Sequence, residues 1–161
     1  MKTILTLALY SIIMLLLFGS PVFARLGETP AEIEKRYGKP QYQKIEESCR
    51  FVGYTLNDFM IIVTFILDKA EGETIVKADK SALSDTEIAS ILKANEDDNK
   101  WIYDEVHSNL LVKEWFGFMH GGAVATYKLI GEHIFDIKSE FCTNCIRAME
   151  ERKAHNNTKG F

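Results

Sequence analysis

The sequence predicts an α+β domain in which an antiparallel β-meander sheet is packed with short helices. Three observations carry that expectation. Two segments hold complete helix-start signals, the strand-like runs are separated by turn residues rather than by helices, and the run before the closing cysteines alternates apolar and charged residues.

The chain opens with Lys2 as the only charge before an uncharged apolar run from Ile4 to Phe18. "GSPVFA" then places helix breakers and small residues ahead of Ala24. Residues 1–24 are therefore expected to be a signal peptide removed after Ala24. The run is shorter than the ~20 residues that a membrane span needs. The expected contact with a membrane is through this segment alone, before cleavage, and the expected location is periplasmic or extracellular. Residues 25–155 are read as one α+β domain and 156–161 as a disordered tail. Without Lys2, 18 basic residues face 23 acidic ones, a net charge of −5. That balance argues against a nucleic-acid partner, which a basic patch would attract.

The first predicted helix lies in "LGETPAEIEKRYGKP". Thr29 caps it, Pro30 suits its first position, Glu32 completes a capping box, and Gly38 with Pro40 ends it. Ile33 and Tyr37 share a face one turn apart. "YQKIEESCRFVGYT" and "FMIIVTFIL" read as two strands about Asn57 and Asp58, and "ETIVKAD" as a third after a turn at Glu71 and Gly72. The middle strand is apolar on both sides. Phe59, Ile61, Val63, Phe65 and Leu67 fall on one, and Met60, Ile62 and Ile66 on the other. The second side must be covered by a helix, by the rest of the chain or by a partner.

The second helix lies in "SALSDTEIASILKANEDDNKW", with Ser84 as cap, Glu87 three residues on, and Ile88, Ile91 and Leu92 facing inward. "LLVKEWFGF", "GGAVATYKL" and "EHIFDIKSEF" read as three further strands, the last with Phe135, Ile137 and Phe141 facing in. Both halves thus read as a capped helix followed by about three strands. A tandem α-β-β-β repeat fits this plan, with helix caps 84 − 29 = 55 residues apart.

The stretch Gly27-x-Thr29-x-x-Glu32-Ile33-x-x-Arg36-Tyr37-Gly38-x-Pro40, followed by a β meander, resembles the start of the small outer-membrane assembly lipoproteins of the SmpA/OmlA kind. It is also similar to small exported bacterial proteins of unknown function. The resemblance implies a non-catalytic α+β module that binds other envelope proteins. This chain lacks the lipidated cysteine of that family and is longer.

Chemistry is advertised most clearly by "CTNC", Cys142 to Cys145, at a predicted strand-to-helix junction. Such a position favours reactive thiolates. A thioredoxin-like enzyme would, however, require a proline loop later in the chain, and Pro21, Pro30 and Pro40 all come earlier. Covalent haem would require a histidine where Ile146 stands. Zinc would need Cys49, Cys142, Cys145 and one of His107, His120, His133 or His155, none spaced as in a known module. No metal and no cofactor is expected. In an oxidising compartment Cys142, Cys145 and Cys49 are disulfide candidates, as the local pair or as Cys49 with either of the others.

No hydrolase elbow or phosphate loop is present in the sequence. The expected function is therefore an exported, non-enzymatic protein-binding or structural module of the cell envelope or secretome. Met60, Ile62, Ile66, Trp115 and Phe116 are its candidate partner surface. The alternative is a thiol/disulfide or metal-binding protein using residues 142–145.

Overall fold

Both predicted capping boxes form. The computed structural model describes residues 26–96, 100–117 and 122–158, so the expected signal peptide lies outside the described residues. Helix α1 (Pro30–Tyr37) starts where Glu32 N–H donates to Thr29 Oγ1 at 3.4 Å and Thr29 N–H donates back to the Glu32 carboxylate at 2.8 Å. Gly38 ends it at φ 81°, a left-handed backbone that favours glycine. Helix α2 (Asp85–Ala94) repeats the device with Ser84 and Glu87, at 3.2 and 2.6 Å.

Strands β1 (Tyr42–Glu46), β2 (Cys49–Leu56), β3 (Phe59–Ile66) and β4 (Lys69–Lys77) follow α1 as one meander. After α2 come β5 (Ile102–Tyr103), β6 (Val112–Gly117), β7 (Ala123–Lys128) and β8 (Phe135–Ser139), and then helix α3 (Glu140–Thr158). All eight strands form one antiparallel sheet in the order β1-β2-β3-β4-β8-β7-β6-β5. Each half is a helix and four strands, and the halves meet through their last strands, with Gly72 opposite Lys138 and Ile75 opposite Phe135. The α+β class is as expected; each half carries four strands where three were expected.

The extra strand of the first half has a local cause. Glu47, at φ 51°, turns the chain inside the first expected strand and makes two of it. The β3–β4 turn falls at Leu67 and Asp68, both at positive φ, and not at Glu71 and Gly72. Those two residues lie instead at a β-bulge, where Thr64 pairs with Gly72 and Phe65 with Ala70. Ser139, whose Oγ accepts from Cys142 N–H at 3.0 Å, ends β8. Phe141, expected to face in at the end of that strand, is therefore a helical residue and exposed. Helix α3 runs to Thr158, and residues 159–161 of the expected tail lie outside the described residues.

The front face of the sheet holds the main core. Ile33, Tyr37, Ile88 and Ile91 from the helices meet Val52, Ile61, Val63, Ile75, Ala125, Tyr127, Phe135 and Ile137 from the strands. Leu83 N–H donates to Tyr127 Oη at 2.8 Å and Trp101 Nε1 to the Leu92 carbonyl at 2.9 Å, tying both ends of α2 to their surroundings. Glu73 is 2% exposed, and its carboxylate accepts a hydrogen bond from the Tyr37 hydroxyl. The back face is crossed by α3, which leaves β8 with no intervening loop. There Cys49, Ile66, Cys142 and Met149 form a second, small cluster, flanked by Phe51, Cys145 and Ile146.

Candidate functional site

The three cysteines come together under the first turns of α3. Cys49 opens β2 opposite Ile66, and its side chain points to the back of the sheet. Cys142 presses onto β4 at Gly72, where an added Cβ would lie 3.1 Å from its Sγ. A side chain added at 72 would crowd that sulfur, which would have to give by a few tenths of an ångström. Cys145 lies one turn further along, and its Sγ is 3.4 Å from that of Cys49. The sulfurs in contact are thus Cys49 and Cys145, across 96 positions of sequence. No disulfide links Cys49, Cys142 and Cys145 in this structure.

Their environment opposes thiolate chemistry. Cys49 and Cys142 are both 0% exposed. Burial pushes the Cys142 thiol up to about 12. Burial does the same for Cys49, also to about 12, reinforced by the Cys145 contact and by Glu47 and Glu46. A thiol held there is protonated at neutral pH and is a poor nucleophile. Only Cys145 is half-buried.

Among the described residues no group of three or more His, Cys, Asp or Glu side chains is placed to hold a metal ion. His107 is exposed and engages Asp104, its Nδ1 2.6 Å from Oδ2. His133 sits at φ 49° in the loop before β8. His120 and the side chain of His155 lie outside the described residues. No helix among the described residues is long and apolar enough to cross a membrane.

The five residues of the expected partner surface separate. Met60 and Ile62 are 51% and 42% exposed on the back face. Ile66, on the same side of β3, is 2% exposed because the α3 cluster covers it. Trp115 and Phe116 are neighbours in β6 and so point to opposite faces. Trp115 packs at the front, its ring centroid 6.0 Å from that of Phe135, while Phe116 stands half-open at the back.

Among the described residues, two apolar hollows lie on the back face. One, of about 370 Å³, is lined by Tyr42, Gly53, Met60, Ile62, Val76 and Ile134. Gly53 is its notch: Tyr42 and Ile62 flank it in register on either side. The other, of about 490 Å³, lies beside α3, with Ile102, Phe116 and Val124 on the sheet and Asn144 and Arg147 on the helix. Between them runs a polar row, in which Thr74 Oγ1 donates to Asp136 at 2.6 Å. Tyr42, Gly53 and Ile102 were not singled out from the sequence. A glycine within an alternating strand was the available signal for the first hollow; Ile102, in a strand of two residues, gave none. Compared with protein-family models, with curated proteins and with solved structures, the chain gives no match.

Proposed function

We propose that this chain is an exported, non-catalytic binding module whose back face docks an extended apolar segment of a partner protein in the cell envelope or secretome. One observation carries the reading. Tyr42, Met60 and Ile62 stand exposed around the Gly53 notch, on a face whose remaining apolar residues on the same strands lie beneath a helix. The position of the hollow favours an extended occupant. It adjoins β1, an outermost strand of the sheet, whose outer backbone groups are open to an added strand. A segment paired there would place alternate side chains towards Tyr42 and the notch. The buried Cys142 thiol, protonated at neutral pH, supports a non-enzymatic role.

A photo-crosslinking residue at Ile62 in the natively exported protein tests this. Crosslinks to one partner should form there, compete away with unlabelled protein, and be absent from the exposed loop position Ile130. Ile62→Asp should abolish them and leave the fold intact. Crosslinks to the same chain alone would replace the partner with a second copy. Loss of folding in Ile62→Asp would make the face internal core.

The thiol alternative retains one supporting observation, the Cys49–Cys145 contact. Its geometry favours a structural bridge over a catalytic pair.

A further inference from the structure

The three thiols are not equivalent. Cys142 has its sulfur seated against Gly72, and its backbone N–H is held by Ser139. Cys145, in the next turn of the same helix, turns its sulfur to Cys49 on a different element at 3.4 Å. The adjacent-looking pair of the sequence is thus divided between two tasks, one cysteine filling a gap and the other meeting a distant partner. The two sulfurs would have to close from 3.4 Å to the roughly 2.05 Å of a disulfide bond.

We propose that Cys49 and Cys145 form the disulfide of this protein, a covalent clamp from the start of β2 to the second turn of α3, while Cys142 remains a buried thiol. The proposal rests on the export reading only for its oxidant, which is an oxidised dithiol protein or a small-molecule disulfide. The Cys145 thiol loses its proton and attacks one sulfur of that disulfide. The oxidant's S–S bond breaks, one of its sulfurs leaves as a thiolate, and Cys145 is held in a mixed disulfide. Cys49 then loses its proton and attacks the Cys145 sulfur, which releases the second oxidant sulfur. Two electrons have passed to the oxidant, and its two thiolates take up the two protons. Cys145 reacts first because it alone of the three is half-buried. The elevated Cys49 thiol makes the second step the slower one.

The clamp has a structural purpose. Helix α3 is nineteen residues long, yet among its described side chains only Cys142 and Met149 are buried, with Cys145 and Ile146 half-buried. A link to β2 gives the helix a second attachment besides its direct exit from β8. It also fixes what lies beneath. Ile66 shares a strand face with Met60 and Ile62, so release of α3 would extend the open apolar strip along β3.

The test uses the chain from residue 25 onward, equilibrated in a glutathione redox buffer that oxidises a control dithiol peptide, then acid-quenched, alkylated and digested without reduction. The expected product links the Cys49 peptide to the peptide containing residues 142–145, with the mass of two hydrogens lost. Fragmentation within "CTNC" should place the link on Cys145 and the alkyl group on Cys142. Cys142→Ala should keep the bridge, whereas Cys145→Ser and Cys49→Ser should each lose it. Reduction should lower Tm by on the order of 10 °C and speed amide exchange in α3. A Cys142–Cys145 or Cys49–Cys142 link, or no link in that buffer, overturns the proposal. Fragmentation of the wild-type peptide decides the matter even where a variant misfolds. The position-62 crosslinks do not depend on it, so failure of the bridge and failure of the docking reading are told apart.

Discussion

The two faces of one sheet are built on different terms. At the front, two helices with complete capping boxes close over a continuous apolar layer that includes Tyr127, Phe65 and Phe135, the largest fully buried side chains. Polar contacts inside that layer are specific: Tyr127 takes a backbone N–H of Leu83, and Tyr37 donates to Glu73. At the back, one helix meets the sheet through four buried residues, two of them cysteines, and leaves apolar hollows on the rest. Front-face burial supplies the dominant folding term, since stabilisation follows the apolar area removed from water. The back face is therefore where this fold can keep apolar surface open without unfolding.

Truncation should expose the difference most sharply. Phe135→Ala removes a fully buried ring that touches Trp115 and Tyr127, at centroid distances of 6.0 and 6.2 Å. Denaturant unfolding should show a loss of about 3–5 kcal/mol. Met149→Ala, in the back cluster, should cost clearly less, because a helix attached by few side chains can settle into the space. Equal losses would break the comparison and make the back cluster part of one common core.

A smaller effect tests the polar contacts of the front. Tyr37→Phe deletes a hydroxyl that donates to a carboxylate 2% exposed. The ring contact with Tyr54, at 5.5 Å, remains. A loss of about 1–3 kcal/mol is expected from weakening the solvation of that buried group. No measurable change would mean that the rest of the layer satisfies Glu73.

Much of the front face was legible because its signals are local. Thr29 with Glu32 and Ser84 with Glu87 announce their helices within four residues, and Phe59 to Ile66 form a β-rich apolar run interrupted only by Thr64. The errors arose where local signals conflict with pairing. Gly72 reads as a turn residue but lies within β4 against Cys142, while Leu67, which has no turn signature, adopts positive φ. Glu73, inside an expected strand, shares parity with Ile75, which puts its carboxylate on the core side. Ser139 caps α3 with Cys142 at the position where a capping box has an acid, so the alternation of β8 appeared to run on to Phe141. The Cys49–Cys145 contact was one of several pairings open to the sequence. It depends on which part of the back face α3 crosses, a tertiary fact with no local trace.

The weakest expected effect marks the rim of the back face. His107 lies edge-on to Phe116, centroids 6.3 Å apart, at the side of the hollow that contains Phe116. Its hydrogen bond to the Asp104 carboxylate, with the charge of that group and of Glu114, raises the imidazole pKa above its ordinary 6.5. Asp104 is correspondingly lowered from 3.8, first by the same hydrogen bond. A raised histidine contributes stability that is complete below 6.5 and lost as pH rises through its folded value. A lowered aspartate contributes above 3.8 and loses its part as pH falls through its folded value. The pair is therefore strongest in the mildly acid range between those two transitions. Because His107 is exposed to solvent, the effect on global unfolding should be slight, and an NMR titration is the sensitive readout. His107 should titrate above 6.5, and Asp104→Asn should return it towards 6.5 while keeping the Oδ1 contacts to the Val106 and His107 N–H groups. A partner seated over Phe116 should move the same titration, whereas one confined to the Gly53 notch should leave it unchanged.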